Sequence, residues 1–146
     1  MLYDKITELC HTLGIPVPDA DEHGGYVFPF EGGLELHCSQ HKGGIMLSAP
    51  VASVPDDKHM KDDMCRKMLQ TSLGIMRKSP DVVAIDENTS SFIVYRRFIE
   101  DSYQSVRFPD AVEEFLNTLE LIKNRVRQKT RRFAPPPMYG GMPQRY

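Results

Sequence analysis

The sequence predicts an α+β domain in the order α-β-β-β-α-β-β-α, with a five-stranded, mainly antiparallel twisted sheet and helices packed on it. Three observations predict it. Three stretches carry apolar residues at helical spacing, near 2–13, 55–80 and 110–126. Between the first two lie three short strand-like runs joined by glycine-rich connections. Between the last two lies one more pair of strand-like runs around "DENTS".

The first helix is expected over 2–13, where Leu2, Ile6, Leu9, Cys10 and Leu13 fall on one face. Gly14 and the following "IPVP" stop it. The runs "YVFPF" (26–30), "LELHCSQ" (34–40) and "IMLSAPVA" (45–52), joined by "EGG" and "HKGG", read as an antiparallel meander. Pro29 inside the first run marks an edge strand or a bulge, because proline has no N–H for a sheet ladder.

The second helix is expected over 55–80 and carries Met60, Met64, Cys65, Met68, Leu69, Leu73 and Met76 as its stripe. Asp56 and Asp57 open it, Arg77 and Lys78 close it as the helix dipole prefers, and Pro80 prevents continuation. "DVVAI" (81–85) and "SFIVYRRF" (91–98) make a hairpin, in which Arg96 and Arg97 face opposite sides and either could hold an ion pair. Asp110 is expected to cap the third helix, with Glu113 completing a capping box. Val112, Phe115, Leu116, Leu119, Ile122 and Val126 form its apolar face.

The 146 residues suffice for one domain with a core. We divide them into a folded unit over 1–126 and a basic, Pro/Gly-rich, disordered tail over 127–146. The charge is uneven. Residues 1–120 hold all 20 acidic side chains against 11 basic ones, a balance of −9, whereas 121–146 hold seven basic and no acidic ones. The start "MLYDKITELC" lacks a basic stretch followed by an apolar run, so no signal peptide is expected. No apolar stretch is long enough for a membrane span. Three scattered cysteines without a CxxC read as free thiols in a reducing compartment.

Catalytic and metal chemistry find little support. In "ELHCSQHKGG", His37 and His41 lie four residues apart on an expected strand, about 13 Å when extended. They cannot share an ion unless the chain turns sharply, and Cys38 faces away from His37. Leu34, Leu36 and Cys38 are expected to face the core. Cys10 and Cys65 sit in apolar stripes, so no activated thiol is expected. The glycine pairs match neither a dinucleotide fingerprint nor a phosphate-binding loop. Neither enzyme activity nor a cofactor is expected. The run 123–132 has six Lys or Arg in ten residues. A solvated helix end or a protein-docking segment is favoured for it over nucleic acid or an acidic membrane surface.

The element order, the opening helix ending in "LGIP", the run "YVFPFEGGLELHCS", "GIMLSAPVASVP" before the second helix, and "MLQTSLGIMRKSPDVVAIDENTSSFIVYRRF" together resemble the class I chaperones of bacterial type III secretion, the Tir chaperone family. The resemblance covers about residues 2–126; the basic extension departs from it. It implies a non-catalytic, cytoplasmic bacterial homodimer. Such a protein would bind the N-terminal non-globular segment of a secreted effector, keep it secretion-competent and deliver it to the apparatus. Effector contacts would then fall on Leu2, Ile6 and Leu9, on Val27, Phe28 and Phe30, and on Leu34, Leu36, Ile45 and Leu47. Dimer contacts would fall on Met64, Met68, Leu69, Val83 and Ile85. Charge suggests docking of Arg125, Arg127, Lys129, Arg131 and Arg132 on the secretion ATPase or export gate. The competing reading is a non-catalytic adaptor or regulatory protein-binding module of the same fold.

Overall fold

A computed structural model of the chain describes residues 2–99 and 106–132, with side chains described as far as residue 126. Helix α1 (Leu2–Leu13) leads into β1 (Tyr26–Phe30), a single 3-10 turn (Glu31–Gly33), β2 (Leu34–His41) and β3 (Gly44–Ser53). Then follow α2 (Lys58–Ile75), β4 (Val82–Asp86), β5 (Ser91–Phe98) and α3 (Phe108–Arg132). The strands form one sheet in the order β1-β2-β3-β5-β4, and every neighbouring pair is antiparallel. The α+β architecture and the element order are as expected, and β1 with its Pro29 is an edge strand.

Period-two alternation decides which face is buried. Phe92, Val94, Arg96 and Phe98 of β5 point inward, as do Leu36 and Cys38 of β2 and Ile45, Leu47 and Ala49 of β3. Helix α3 contacts β2, β3 and β5; α1 contacts α3, and α2 contacts α3 and β4. The largest fully buried side chains include Phe92, Phe108, Phe115, Leu119 and Ile122. Phe98 and Phe108 meet edge-on with ring centroids 5.2 Å apart, which pins the start of α3 to the sheet. The opposite face carries the row Val27, His37, Ser48, Tyr95 and Val82, all partly or largely exposed.

Local chemistry explains the ends. Gly14 has φ +70°, and the Ile15 and Gly14 amides donate to the carbonyls of Cys10 (3.0 Å) and His11 (3.3 Å). That pattern closes α1, and only glycine takes the left-handed position cheaply. At the start of β3, a Cβ on Gly44 would lie 2.6 Å from the Phe98 carbonyl oxygen. The strands can approach there only because that atom is absent.

Several boundaries differ from expectation. Helix α2 is shorter than 55–80: Asp57 is its cap, accepting from the Met60 amide at 3.0 Å. It ends at Ile75, whose carbonyl accepts from the Lys78 and Ser79 amides, so Arg77 and Lys78 lie beyond it. Strand β4 is shifted by one residue because Asp81 turns inward. Helix α3 starts at Phe108 rather than after Asp110; Pro109 suits a first turn, and Asp110 sits within that turn. The helix runs unbroken past residue 126 to Arg132, so no element ends at the expected boundary between folded unit and tail. The remainder of the expected tail, 133–146, lies outside the described residues.

Candidate protein-binding surfaces

The stripe on α2 is more apolar than the domain uses. Met68, Thr71 and Ile75 are its buried residues, and Met64 and Cys65 are half-buried. Met60, Leu69, Leu73 and Met76 are each more than half exposed. Beside Leu69 on β4, Ile85 is also exposed, whereas Val82, exposed too, faces the other side of the sheet. Between α2 and β4 lies a hollow of about 150 Å³ with Met68, Leu69, Val83, Ile85 and Phe92 in its lining. Contiguous apolar surface of this kind is uncommon on a protein with no partner.

A second surface follows α3. One hollow of about 240 Å³ lies between α1 and α3, lined by Leu9, Leu13, Phe30, Asp110, Val112, Glu113, Leu116 and Asn117 among others. Another of about 320 Å³ lies between α3 and the β1–β2 turn, lined by Glu31, Gly32, Leu34, Glu120, Lys123 and Asn124. The two adjoin, since Phe30 lines one and Glu31 the other, and Asn117 and Glu120 are one turn apart on α3.

The model of the Tir chaperone protein (CesT) family matches residues 5–123, which takes in nearly all of this architecture. The chain belongs to the Tir chaperone protein (CesT) family. Its fold is also found in solved structures of low sequence identity. The ExsC–ExsE complex contains a chain with TM-score 0.58 and 16% identity, covering 92% of this chain and 94% of that one. The HopA1–SchA chaperone–effector complex gives TM-score 0.62 and 14% identity, covering 84% and 90%. The ExoU–SpcU complex from the type III secretion system of Pseudomonas aeruginosa gives 0.60 and 17%, covering 83% and 93%. No curated protein matches the chain at a significant level in sequence.

The residues that the Tir chaperone resemblance implied for effector contact divide by burial. Leu2, Ile6, Leu9, Phe28, Leu36, Ile45 and Leu47 are buried in the core. Leu2, Ile6 and Leu9 lie on the buried face of α1, and the strand residues among them lie on the sheet face that the helices cover. Val27 is 37% exposed on the edge strand, and Phe30 and Leu34 are partly buried against the core. Of the residues implied for dimer contact, Leu69 and Ile85 are exposed, Met64 and Val83 half-buried, and Met68 buried. Arg125 is exposed; Arg127, Lys129, Arg131 and Arg132 lie on α3, their side chains outside the description.

In this CesT-family chain the "HCSQH" stretch is plain β-strand. His37 and Glu35 share a face, with Nε2 and Oε1 2.7 Å apart. Cys38 points into the core, and burial, aided by Cys10, pushes its thiol up to about 12. Burial also raises the Cys10 thiol. No group of three or more His, Cys, Asp or Glu among the described residues could hold a metal ion. Among the described residues no helix is long and apolar enough to cross a membrane.

Sequence reasoning marked Arg96 as a possible ion-pair residue without finding its partner. Its Nε and Nη2 donate to the two Asp81 carboxylate oxygens, Nη2 to Oδ2 at 3.0 Å. Its Nη1 donates to Glu114 Oε2 at 3.0 Å and to the Ala111 carbonyl at 3.3 Å. Nη2 also donates to Ser79 Oγ at 3.1 Å. One guanidinium therefore ties the segment after α2 and strand β5 to the first turns of α3.

Proposed function

We propose that this protein is a non-catalytic, cytoplasmic chaperone of bacterial type III secretion. It binds the N-terminal non-globular segment of one or more secreted effectors, keeps it secretion-competent and delivers it to the apparatus. The family match over residues 5–123 carries this reading. The HopA1–SchA chaperone–effector and ExoU–SpcU type III complexes, built on the same fold, support it.

The physics is consistent. A closed core leaves β1 and β4 as sheet edges. An extended client can add a strand to such an edge and place alternate side chains in adjoining hollows. Val27, Phe30 and Leu34 are the early-sheet residues with surface to offer. The client pays its ordering entropy on binding, which suits a surface of many modest apolar contacts.

We further propose that two copies pair through the exposed stripe of α2 and β4, with Leu69 and Ile85 at the contact and Met64, Met68 and Val83 beneath. Burying that stripe would remove the exposed side chains of Leu69, Leu73, Met76 and Ile85 from water. The basic end of the chain, Arg125, Arg127, Lys129, Arg131 and Arg132, would dock on the secretion ATPase or export gate. Folded and tail units over 1–126 and 127–146 remain our functional division.

The deciding experiment is a pull-down from the native bacterium's cytosol, followed by protease treatment and mass identification of the surviving fragments. A protected N-terminal stretch of a secreted protein, held by two copies of this chain, is expected. Recovery of a folded regulator, of nucleic acid or of no partner would overturn the reading.

A further inference from the structure

We propose that the groove along α3 receives a client stretch in which apolar side chains alternate with lysine or arginine. This deepens the chaperone reading and rests on it. Pro109, Asp110, Glu113, Asn117, Glu120 and Asn124 recur at steps of one to four residues, so α3 turns one continuous side to both hollows. Fifteen residues of helix rise about 22 Å. An extended segment of about seven residues spans that length.

The floor is apolar, built from Leu9, Phe30, Val112 and Leu116, with Leu34 at the far end. Leu13 at its edge is 44% exposed. The rim is acidic. Asp110, Glu113, Glu120 and Glu31 are all exposed, and none has an ion-pair partner among the described residues. Nearby carboxylates that do have partners show the contrast: Glu8 pairs with Arg107 at 3.1 Å and Glu114 with Arg96 at 3.0 Å. Among the described residues Lys123 is the one cation lining the groove, and its Nζ lies 2.9 Å from the Gly33 carbonyl oxygen.

Four carboxylates against one ammonium leave the rim negative above an apolar floor. In an extended segment the apolar side chains face the floor, while the alternate lysine or arginine side chains are long enough to bend over the edge and bring their heads to the rim carboxylates. An acidic segment would meet like charge, which costs affinity and slows encounter.

Three labelled peptides test this by fluorescence anisotropy on the full chain: LKVKLKV, LSVSLSV and LEVELEV. At 50 mM NaCl the basic peptide binds at least about tenfold tighter than the acidic one, a difference near 1.4 kcal/mol. The preference shrinks at 500 mM NaCl as charges are screened. Glu113→Gln with Glu120→Gln abolishes the preference and keeps binding of the neutral peptide, whereas Glu87→Gln in the β4–β5 turn changes nothing. Equal binding of basic and acidic peptides, or a preference that survives the double variant, would overturn the proposal. A preference seen only after truncation at Val126 would overturn it too, by assigning the groove to the chain's own basic arm. Client capture is scored separately. If the native chain captures no secreted client, the chaperone reading falls; if the double variant captures as much client as the native chain, only the groove proposal falls.

Discussion

Arg96 on β5 and Asp81 just before β4 form a two-pronged ion pair in which both side chains are almost wholly buried. Glu114, the second carboxylate on Arg96, is 65% exposed. Asp81→Ala leaves a buried guanidinium without its main partner and is expected to cost about 3–5 kcal/mol in a urea titration. Glu114→Ala removes a solvent-screened contact and is expected to cost about 1 kcal/mol or less. Equal losses for the two variants would contradict this ranking.

The α2 stripe predicts an assembly phenotype. Leu69→Asp with Leu73→Asp places two charges on exposed positions that the core does not use. The variant is expected to keep its circular dichroism spectrum and elute as a monomer in size-exclusion chromatography with light scattering, and the native chain is expected to elute as a dimer. A dimeric variant would move the interface elsewhere.

The Cys38 thiol predicts an alkaline limb in stability. Its folded value lies at about 12 against an ordinary 9.0, because burial disfavours the thiolate. The unfolded chain loses that proton first, so stability is flat below about pH 9 and falls as pH rises toward 12. Urea midpoints at pH 8 and 10.5 are expected to differ less in Cys38→Ala than in the native chain. Cys10, raised in the same sense, keeps some slope in the variant.

Two glycines predict opposite signs. A Cβ at Gly44 meets the Phe98 carbonyl oxygen at 2.6 Å, so Gly44→Ala forces β3 and the end of β5 apart and is expected to cost about 1–3 kcal/mol. A Cβ at Gly74, near the end of α2, meets nothing within 4 Å. Gly74→Ala is expected to stabilise by about 0.5–1 kcal/mol through helix propensity. Thermal melts of the two variants give the comparison directly.

What the sequence disclosed and what it hid follow from range. The meander from Tyr26 to Ser53 was legible because alternation and Gly turns are local signals. The C-terminus of α2 was not. Arg77 and Lys78 read as residues of its last turn, but the Lys78 and Ser79 amides fold back on the Ile75 carbonyl. The Asp81–Arg96 pair was hidden because it joins residues fifteen apart through tertiary packing. Alternation placed Leu36 and Cys38 on the core face, as found, but it did not name α3 as the helix that covers that face. The acidic groove was equally hidden: Glu31 and Glu120 come together only when the β1–β2 turn meets α3.

The sheet order has a consequence for how the chain is made. Strand β3 waits for β5, with Ile45 opposite Phe98, and the shared face waits for Ile122 of α3 to close it. At about 5–20 residues per second, the 77 residues from Ile45 to Ile122 take roughly 4–15 s to emerge. Throughout that interval Leu36, Cys38 and Leu47 face water on a nascent half-sheet with an open β3 edge. During its own synthesis this protein would thus show two features of the clients it is proposed to hold: bare apolar surface and an unpaired strand edge.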